Sequence, residues 1–496
     1  MTSSLSQRLS LGQLLTHPGL GPTMGPATIA LNHGVIEAIA PMANPSALTT
    51  AQSDHLALPP LVNAHDHGRS LAPFTYGAFD QALELWLPAL KLQPTLSVYT
   101  ATALALAGMA RSGVGAAVHC HVGAGGDLLA ESVQVAQAAR DVGIRLALAV
   151  PMRDRHSLVY GDAERLLALL SPEDRQQVRA VWEASPPSAQ AQVDRVHAIA
   201  AACELAEPDA LSGDLINVQY CPWGPQWCSH ELLEAIATAS ATTGRRIHTH
   251  FLETRYQREW ADAHYPQGLV QYLDEIGFLS PRLTIAHGVW LRPAEMELLA
   301  ERGVIVSINT SSNLRLRSGI APYHAMRDAG MAIAFGLDGM AINNKDDAFE
   351  ELRLNYHLHC QPGMDGNLTP SEVLATQTHG FTAVTNRSGG VIEPGQAADI
   401  LVVNYGAMIQ DVVPDIGSLE LMLLMRGAVD YVESLWVAGR QVVDRGKVLG
   451  VDVPTLQAEV QAAVRSQAHK VYSLQPLVQR YQQALRQFYG HGMHQQ

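Results

Sequence analysis

From residue 58 onward, short apolar runs alternate with longer stretches whose apolar positions recur every three or four residues. The runs are LPPLVNAH, VGAAVHC, RLALAVPM, LINVQYC, RRIHTHF, LTIAH, VIVSIN and MAIAFGLD. Their length is that of strands buried on both faces and too short for ordinary helices. Between them lie SVYTATALALAGMARSG, SHELLEAIATASATTG and APYHAMRDAG, which carry the helical period and close on Gly or a charged residue. Eight strands, each followed by a helix or a long loop, predict an α/β fold: a (β/α)8 barrel over residues 58–392. An open doubly wound sheet is the alternative, but no GxGxxG follows the first strand.

The flanks have another texture. Residues 1–57 and 393–450 contain ATIALNHGVIEAIAP, ADILVVNYG and VESLWVAGRQVVDRGKVLG, short strands separated by turns. They are expected to pair into one small β-sandwich built from both chain ends. Residues 451–496 read as a helical tail, with TLQAEVQAAVRSQAHKVY amphipathic, and the Ala-rich segment 188–206 as another helix.

Composition narrows the function classes. The chain has 496 residues, 47% hydrophobic and 16% charged, which suits a compact globule. A net charge of −14 without a basic run argues against nucleic acid as partner. Five scattered cysteines (Cys120, Cys203, Cys221, Cys228, Cys360) with no CxxC spacing predict a reducing compartment, the cytoplasm. No apolar stretch reaches the roughly 18 residues needed to span a bilayer. The start, MTSSLSQRLSLGQLLTHPG, lacks the apolar core of a secretion signal.

Chemistry collects at the predicted strand ends. His65 and His67 in NAHDH are two apart, so on a strand both point to one side. Imidazole suits Zn2+ or Fe2+, and the C-terminal mouth of a barrel is where active sites lie. Two ordinary loop histidines are the plainer reading of one such pair. IHTHFLET adds His248, His250 and Glu253, LTIAH adds His287, and GLDGMAINN adds Asp338. Burying such groups unpaired is costly, so four strand ends converging on imidazole and carboxylate predict a metal site.

The series NAHDH, HFLET, IAHG, SSNLRLRSGIAP and GLDGMAINN, followed by GGVIEPGQAADILVVN, resembles the amidohydrolase superfamily over about residues 20 to 450. It is most similar to the branch of cytosine, guanine and adenosyl-type deaminases and triazine hydrolases. The resemblance implies a distorted barrel in which His65, His67, His250 and Asp338 hold a divalent metal, Zn2+ as first expectation and Fe2+ as second. It makes Glu253 the proton-shuttling acid and His287 the histidine beside the attacking water. Relatives with two metals carry a lysine on the fourth strand, whereas LINVQYCPWGP has none, so one metal is expected. The HxxE register selects His250 as ligand and leaves His248 deeper in the barrel. The resemblance also implies a small-molecule substrate and a homo-oligomer, a dimer.

The substrate pocket is expected to draw on Arg69, His119, His121, Trp223 and Asn313. His119 and His121 form a second His-x-His at the end of the second strand, and Arg153 and Arg155 end the third. In YCPWGPQWCSHELL, Trp223 stands where adenosyl-type deaminases carry the histidine of P-H-x-P, which speaks against an S-adenosylhomocysteine-like substrate. The arginine of guanine-deaminating relatives is absent as well. Trp223 and Trp227 are expected to form a flat wall for a planar ring, or else to pack at the rim. The resulting expectation is a hydrolytic deaminase of a small nitrogen heterocycle. Amide, urea or carbamate hydrolysis and triazine-type dechlorination are the alternatives using the same site, and a barrel that has lost catalysis is the alternative from another class.

Overall fold

The computed structural model describes residues 7–123, 125–183, 186–204, 215–364 and 368–496. Eight parallel strands pair side by side in chain order. They are β1 (Leu61–Asn63), β2 (Val114–Cys120), β3 (Arg145–Met152), β4 (Ile216–Pro222), β5 (Ile247–Phe251), β6 (Leu283–His287), β7 (Ile305–Ile308) and β8 (Ala332–Phe335). Ala64 N–H donates to Phe335 O at 2.9 Å and Asp338 N–H to His65 O at 2.9 Å, which brings β8 back to β1 and closes the barrel. Gly336 is required at this seam. A Cβ there would stand 2.5 Å from Asn309 Oδ1 and 2.7 Å from His65 N.

The strands are buried almost throughout, as expected of a parallel sheet covered on both faces. Helices at Val98–Arg111 and His230–Thr243 start on side-chain caps, Ser97 Oγ accepting from Thr100 N–H and Ser229 Oγ from Leu232 N–H. Helix Pro370–Thr385 bridges distant strands. Its Gln377 Oε1 accepts from Val62 N–H at 2.7 Å, and Ala383 O accepts from Gln219 Nε2 at 2.9 Å.

One predicted run divides. LPPLVNAH has the pattern of a single strand, but Leu58 ends the strand His55–Leu58, and Leu61 opens β1. Pro59 and Pro60 between them have no N–H for a ladder, so the chain changes sheets at that point. His55–Leu58 pairs antiparallel with Ile400–Asn404, joining the two ends of the chain. A seven-stranded sheet grows from this pair, and a three-stranded sheet (Gln7–Leu11, Ala27–Asn32, Val35–Pro41) faces it. Leu14, Ile29, Ile36, Ala57, Ile400 and Val402 fill the space between. A buried ion pair, Arg145 Nε to Asp399 Oδ2 at 2.7 Å, ties the small sheets to β3.

The C-terminal flank also holds helices where strands and turns were expected, Tyr405–Ile409 and Leu419–Arg426. SLELMLLMR carries the signal: Ser418 caps Leu421 N–H, and Leu423 and Leu424 are buried. The Ala-rich helix runs Ala189–Cys203; residues 205 and 206 of the predicted span, like residues 1–6 of the N-terminal flank, lie outside the described residues. The tail forms one helix, Val453–Gly490. Its first half is mostly exposed, whereas its second half buries Leu477, Val478, Tyr481, Ala484, Leu485, Phe488 and Tyr489 at helical spacing. Among the described residues no helix is long and apolar enough to cross a membrane.

Candidate active site

The imidazoles and the carboxylate predicted to share a site do meet. His65 and His67 follow β1, His250 lies within β5, His287 ends β6, and Asp338 follows β8. His67 Nε2 is 3.3 Å from His250 Nε2. Asp338 Oδ1 is 3.2 Å from His67 Nε2 and 3.4 Å from His65 Nε2. The other ring nitrogens point away. Nδ1 of His67 meets Cys120 O at 3.0 Å, that of His250 meets Trp223 O at 2.8 Å, and that of His287 meets Asn313 Oδ1 at 2.9 Å. A main-chain carbonyl oxygen only accepts, so the rings of His67 and His250 carry the proton on Nδ1 and present the Nε2 lone pair inward.

Among the described residues, Nε2 of His65, Nε2 of His287 and Oδ1 of Asp338 are buried without a hydrogen-bond partner. Orphaned buried acceptors are rare and costly. Ligand atoms of His65, His67 and His250 lie within 4.8 Å of one another, as do those of His65, His287 and Asp338. Three or four imidazoles and a carboxylate aimed at one small volume fit a divalent cation.

The electrostatics suit that reading. Burial lowers the pKa of His65 to about 4. Burial, aided by the Arg69 charge, lowers that of His67, and burial among other imidazoles lowers that of His250. At neutral pH these rings are therefore neutral, the form that binds metal. Burial alone would raise Asp338, but the adjoining His65 and His67 imidazoles outweigh it and hold the carboxyl well below its usual range. Glu253 behaves differently. Burial raises its pKa, with partial offset from His287 and Ser318. Its Oε2 is 3.7 Å from His287 Nε2, and its Oε1 accepts from Ser318 Oγ at 2.9 Å. A carboxyl biased toward its protonated form next to an anionic one is the arrangement that proton transfer needs.

The backbone is unusual here too. His287 has φ 76° and Asp338 φ 57°, both in the left-handed region. Such conformations cost roughly 1–3 kcal/mol and persist where surrounding contacts enforce them, commonly at functional sites. Ser312 Oγ donates to Asp338 Oδ2 at 2.6 Å and supplies one of those contacts.

The residues expected around the substrate divide. Arg69 Nη1 donates to Asp338 O at 2.5 Å and the guanidinium lies 5.3 Å from the Trp86 ring centroid, so it braces the Asp338 loop. Asp66, its alternative partner, is occupied by Asn63, Gly68 and Gly339. Asn313 spends its oxygen on His287. His119 packs over Gly68, where a Cβ would fall 2.3 Å from His119 Nδ1, and that nitrogen is buried without a partner. His121 is held by Glu131 at 2.9 Å. The flat wall of two tryptophans does not form. The rings of Trp223 and Trp227 meet at 77°, because Trp227 turns into the core against Tyr160, 5.7 Å away. Trp223 stays half-buried with Arg153 over its face at 5.0 Å. His248 sits behind His65, its Nε2 2.8 Å from His65 Nδ1. Sequence reasoning missed Ser312 and Ser318, which steady the two carboxylates, although both lie within the quoted SSNLRLRSGIAP.

A closed barrel with imidazoles and two unlike carboxylates at its mouth defines a class of barrel hydrolases. Residues 56–442 match the model of the amidohydrolase family, and the chain belongs to that family. It is 28% identical over 451 residues to a 5'-deoxyadenosine deaminase of Methanosarcina barkeri, covering 90% of this chain and 94% of that one. It is 30% identical over 355 residues to a 5'-deoxyadenosine deaminase of Methanothermobacter thermautotrophicus, covering 70% and 73%. Among solved structures, an atrazine chlorohydrolase from Arthrobacter aurescens complexed with zinc shares the fold with TM-score 0.75 at 22% identity, covering 92% of this chain and 98% of that one. A zinc-bound adenosine deaminase from Xanthomonas campestris does so with TM-score 0.70 at 23% identity, covering 93% and 98%.

Proposed function

We propose that the protein is a hydrolytic deaminase acting on an amino-substituted nitrogen heterocycle, with one divalent ion, zinc, held by His65, His67, His250 and Asp338. The observation that carries this reading is the convergence of partnerless, buried Nε2 and Oδ1 atoms beside a second carboxyl, Glu253, of opposite proton preference. The bound ion would supply the Lewis acidity that lets water act as a nucleophile near neutral pH. Glu253 carries two protons in turn: one from the attacking water to the ring nitrogen, then the remaining hydroxyl proton of the adduct to the amine, which leaves as ammonia when the C–N bond breaks. His287, fixed through Nδ1 by Asn313, turns Nε2 toward the incoming oxygen. Ser318 holds Glu253 Oε1, leaving Oε2 to carry the proton.

The names of the curated relatives support a 6-aminopurine nucleoside as the substrate class. Trp223, half-buried after β4, offers an indole on which a planar base stacks. Five scattered cysteines without CxxC spacing and the acidic net charge support a cytoplasmic enzyme acting on a free small molecule. Assembly as a homodimer rests on the family resemblance, and sedimentation tests it.

The decisive experiment is a screen of the zinc-loaded protein for release of ammonia from 5'-deoxyadenosine, other aminopurines, aminopyrimidines, pterins and triazines, with chloride release followed in parallel. Ammonia from one of these classes is the expected outcome. Chloride from a chlorotriazine without ammonia from any amine would overturn deamination in favour of dechlorination.

A further inference from the structure

We propose that the C-terminal helix Val453–Gly490 is a positioning element of the active site, holding Glu253 in place through Tyr489, Tyr160 and Gln257. The proposal rests on the reading of Glu253 as the proton carrier. Gln257 Oε1 accepts from Glu253 N–H at 2.8 Å. Gln257 Nε2 donates to Tyr160 Oη at 3.2 Å. Tyr160 N–H in turn donates to Tyr489 Oη at 3.1 Å. Three hydrogen bonds thus run from the backbone of Glu253 to the last turn of a helix some 230 residues further along the chain.

The network is dry. Tyr160 is 1% exposed, Gln257 2% and Tyr489 6%. Breaking one bond in such a setting leaves a buried group unsatisfied, which costs more than the bond contributes. A parallel contact braces the next residue: Thr254 Oγ1 donates to Glu84 Oε1 at 2.5 Å, and Glu84 is buried.

The same helix, with the few residues after it, reaches three segments that follow the C-terminal ends of barrel strands. Gln482 Nε2 donates to Leu85 O at 2.7 Å, in the segment after β1. Tyr481 Oη donates to Leu158 O at 2.9 Å, in the segment after β3. Beyond the helix, His494 Nε2 meets Glu259 Oε2 at 2.8 Å, in the segment after β5. The ring of Tyr489 packs 5.6 Å from that of Tyr160, Tyr160 lies 5.7 Å from Trp227, and Trp227 lies 6.2 Å from Trp223. Position at Tyr489 therefore bears on both the proposed acid and the proposed substrate wall. The burial pattern agrees, since the half of the helix that carries Tyr481 and Tyr489 is the packed half.

The test uses the full-length, zinc-loaded protein with Tyr489→Phe, Gln257→Leu and, as control in the exposed half of the helix, Leu456→Ala. Amide hydrogen exchange of the segment 251–260 is the readout that needs no substrate. Tyr489→Phe and Gln257→Leu should speed exchange there several-fold with zinc content unchanged, whereas Leu456→Ala should lower the melting temperature without reaching that segment. With 5'-deoxyadenosine as the probe of turnover, Gln257→Leu should lower kcat about tenfold with little change in KM, since a misplacement near 1 Å can cost about 10²-fold. In a Glu253→Gln background the same substitution should have no further effect on kcat. Unchanged exchange at 251–260 in both variants would overturn the proposal, as would an undiminished effect of Gln257→Leu on top of Glu253→Gln. Failure of the Glu253 reading looks different: exchange responds as expected while Glu253→Gln alone leaves turnover intact.

Discussion

The chain carries two His-x-His pairs at neighbouring strand ends, His65/His67 after β1 and His119/His121 at β2, and they are put to opposite uses. In the first pair both Nε2 atoms lie within 3.4 Å of Asp338 Oδ1, and both Nδ1 atoms are engaged behind, by His248 and by Cys120 O. In the second pair the rings turn on each other. His119 Nε2 faces His121 Nδ1 at 3.4 Å, and His121 Nε2 is taken by Glu131. Spacing is identical and both pairs are buried, apart from partial exposure of His67. What separates them is where the unclaimed nitrogens point: those of the first pair converge beside a carboxylate, whereas His119 Nδ1 lies against Gly68, away from any second ligand atom of its pair.

The largest expected effect comes from substitution in one pair set against the other. His65→Ala or Asp338→Ala should empty the proposed site and abolish turnover, while His121→Ala keeps the metal. Elemental analysis of the three purified variants decides this, and metal lost equally from all three would erase the contrast drawn above.

Second in size is Glu253→Gln. The amide is nearly isosteric and cannot shuttle a proton, so kcat should fall about 10²–10⁴-fold with full metal content. A variant within about threefold of wild type would remove Glu253 from the chemistry.

The support behind His65 comes next. His248→Leu leaves every proposed ligand in place but takes away the partner of His65 Nδ1. Outer partners of this kind typically contribute 10–100-fold in metal affinity, so competition with a chelator should show zinc released at correspondingly lower chelator concentration. Equal affinity would mean that His65 needs no partner to hold its orientation.

The smallest effect is a slope. With its pKa lowered by burial to about 4, His65 in the metal-free folded protein refuses a proton that the unfolded chain accepts near 6.5. Stability is then fully present above pH 6.5 and is lost progressively as the pH falls toward 4. Urea midpoints of metal-free protein measured between pH 7 and 4 should decline, and His65→Asn should decline less steeply. Parallel curves would assign the acid sensitivity to other groups.

Much of this was legible because strands announce themselves locally. The periods of β2, β3 and β6 gave their ends to the residue, and His250, His287 and Asp338 stood out as polar groups that apolar strands do not carry without cause. The division of LPPLVNAH was legible in principle, since adjacent prolines cannot feed one ladder. The helices at Tyr405–Ile409 and Leu419–Arg426 were obscured by strands on either side of them.

By itself, then, the sequence determined the barrel and the short set of candidate residues for holding a cation or moving a proton. These follow from periodicities and residue chemistries set within a few positions along the chain. Only the tertiary structure decided that His248 stands behind His65, that Arg69 braces the carbonyl of Asp338, that Trp227 turns inward away from Trp223, and that Tyr489 reaches Tyr160. Each of these joins segments far apart in the chain. Their partners are chosen by how whole elements pack, and by the cost of leaving a buried polar atom unpaired, neither of which is written in any local stretch.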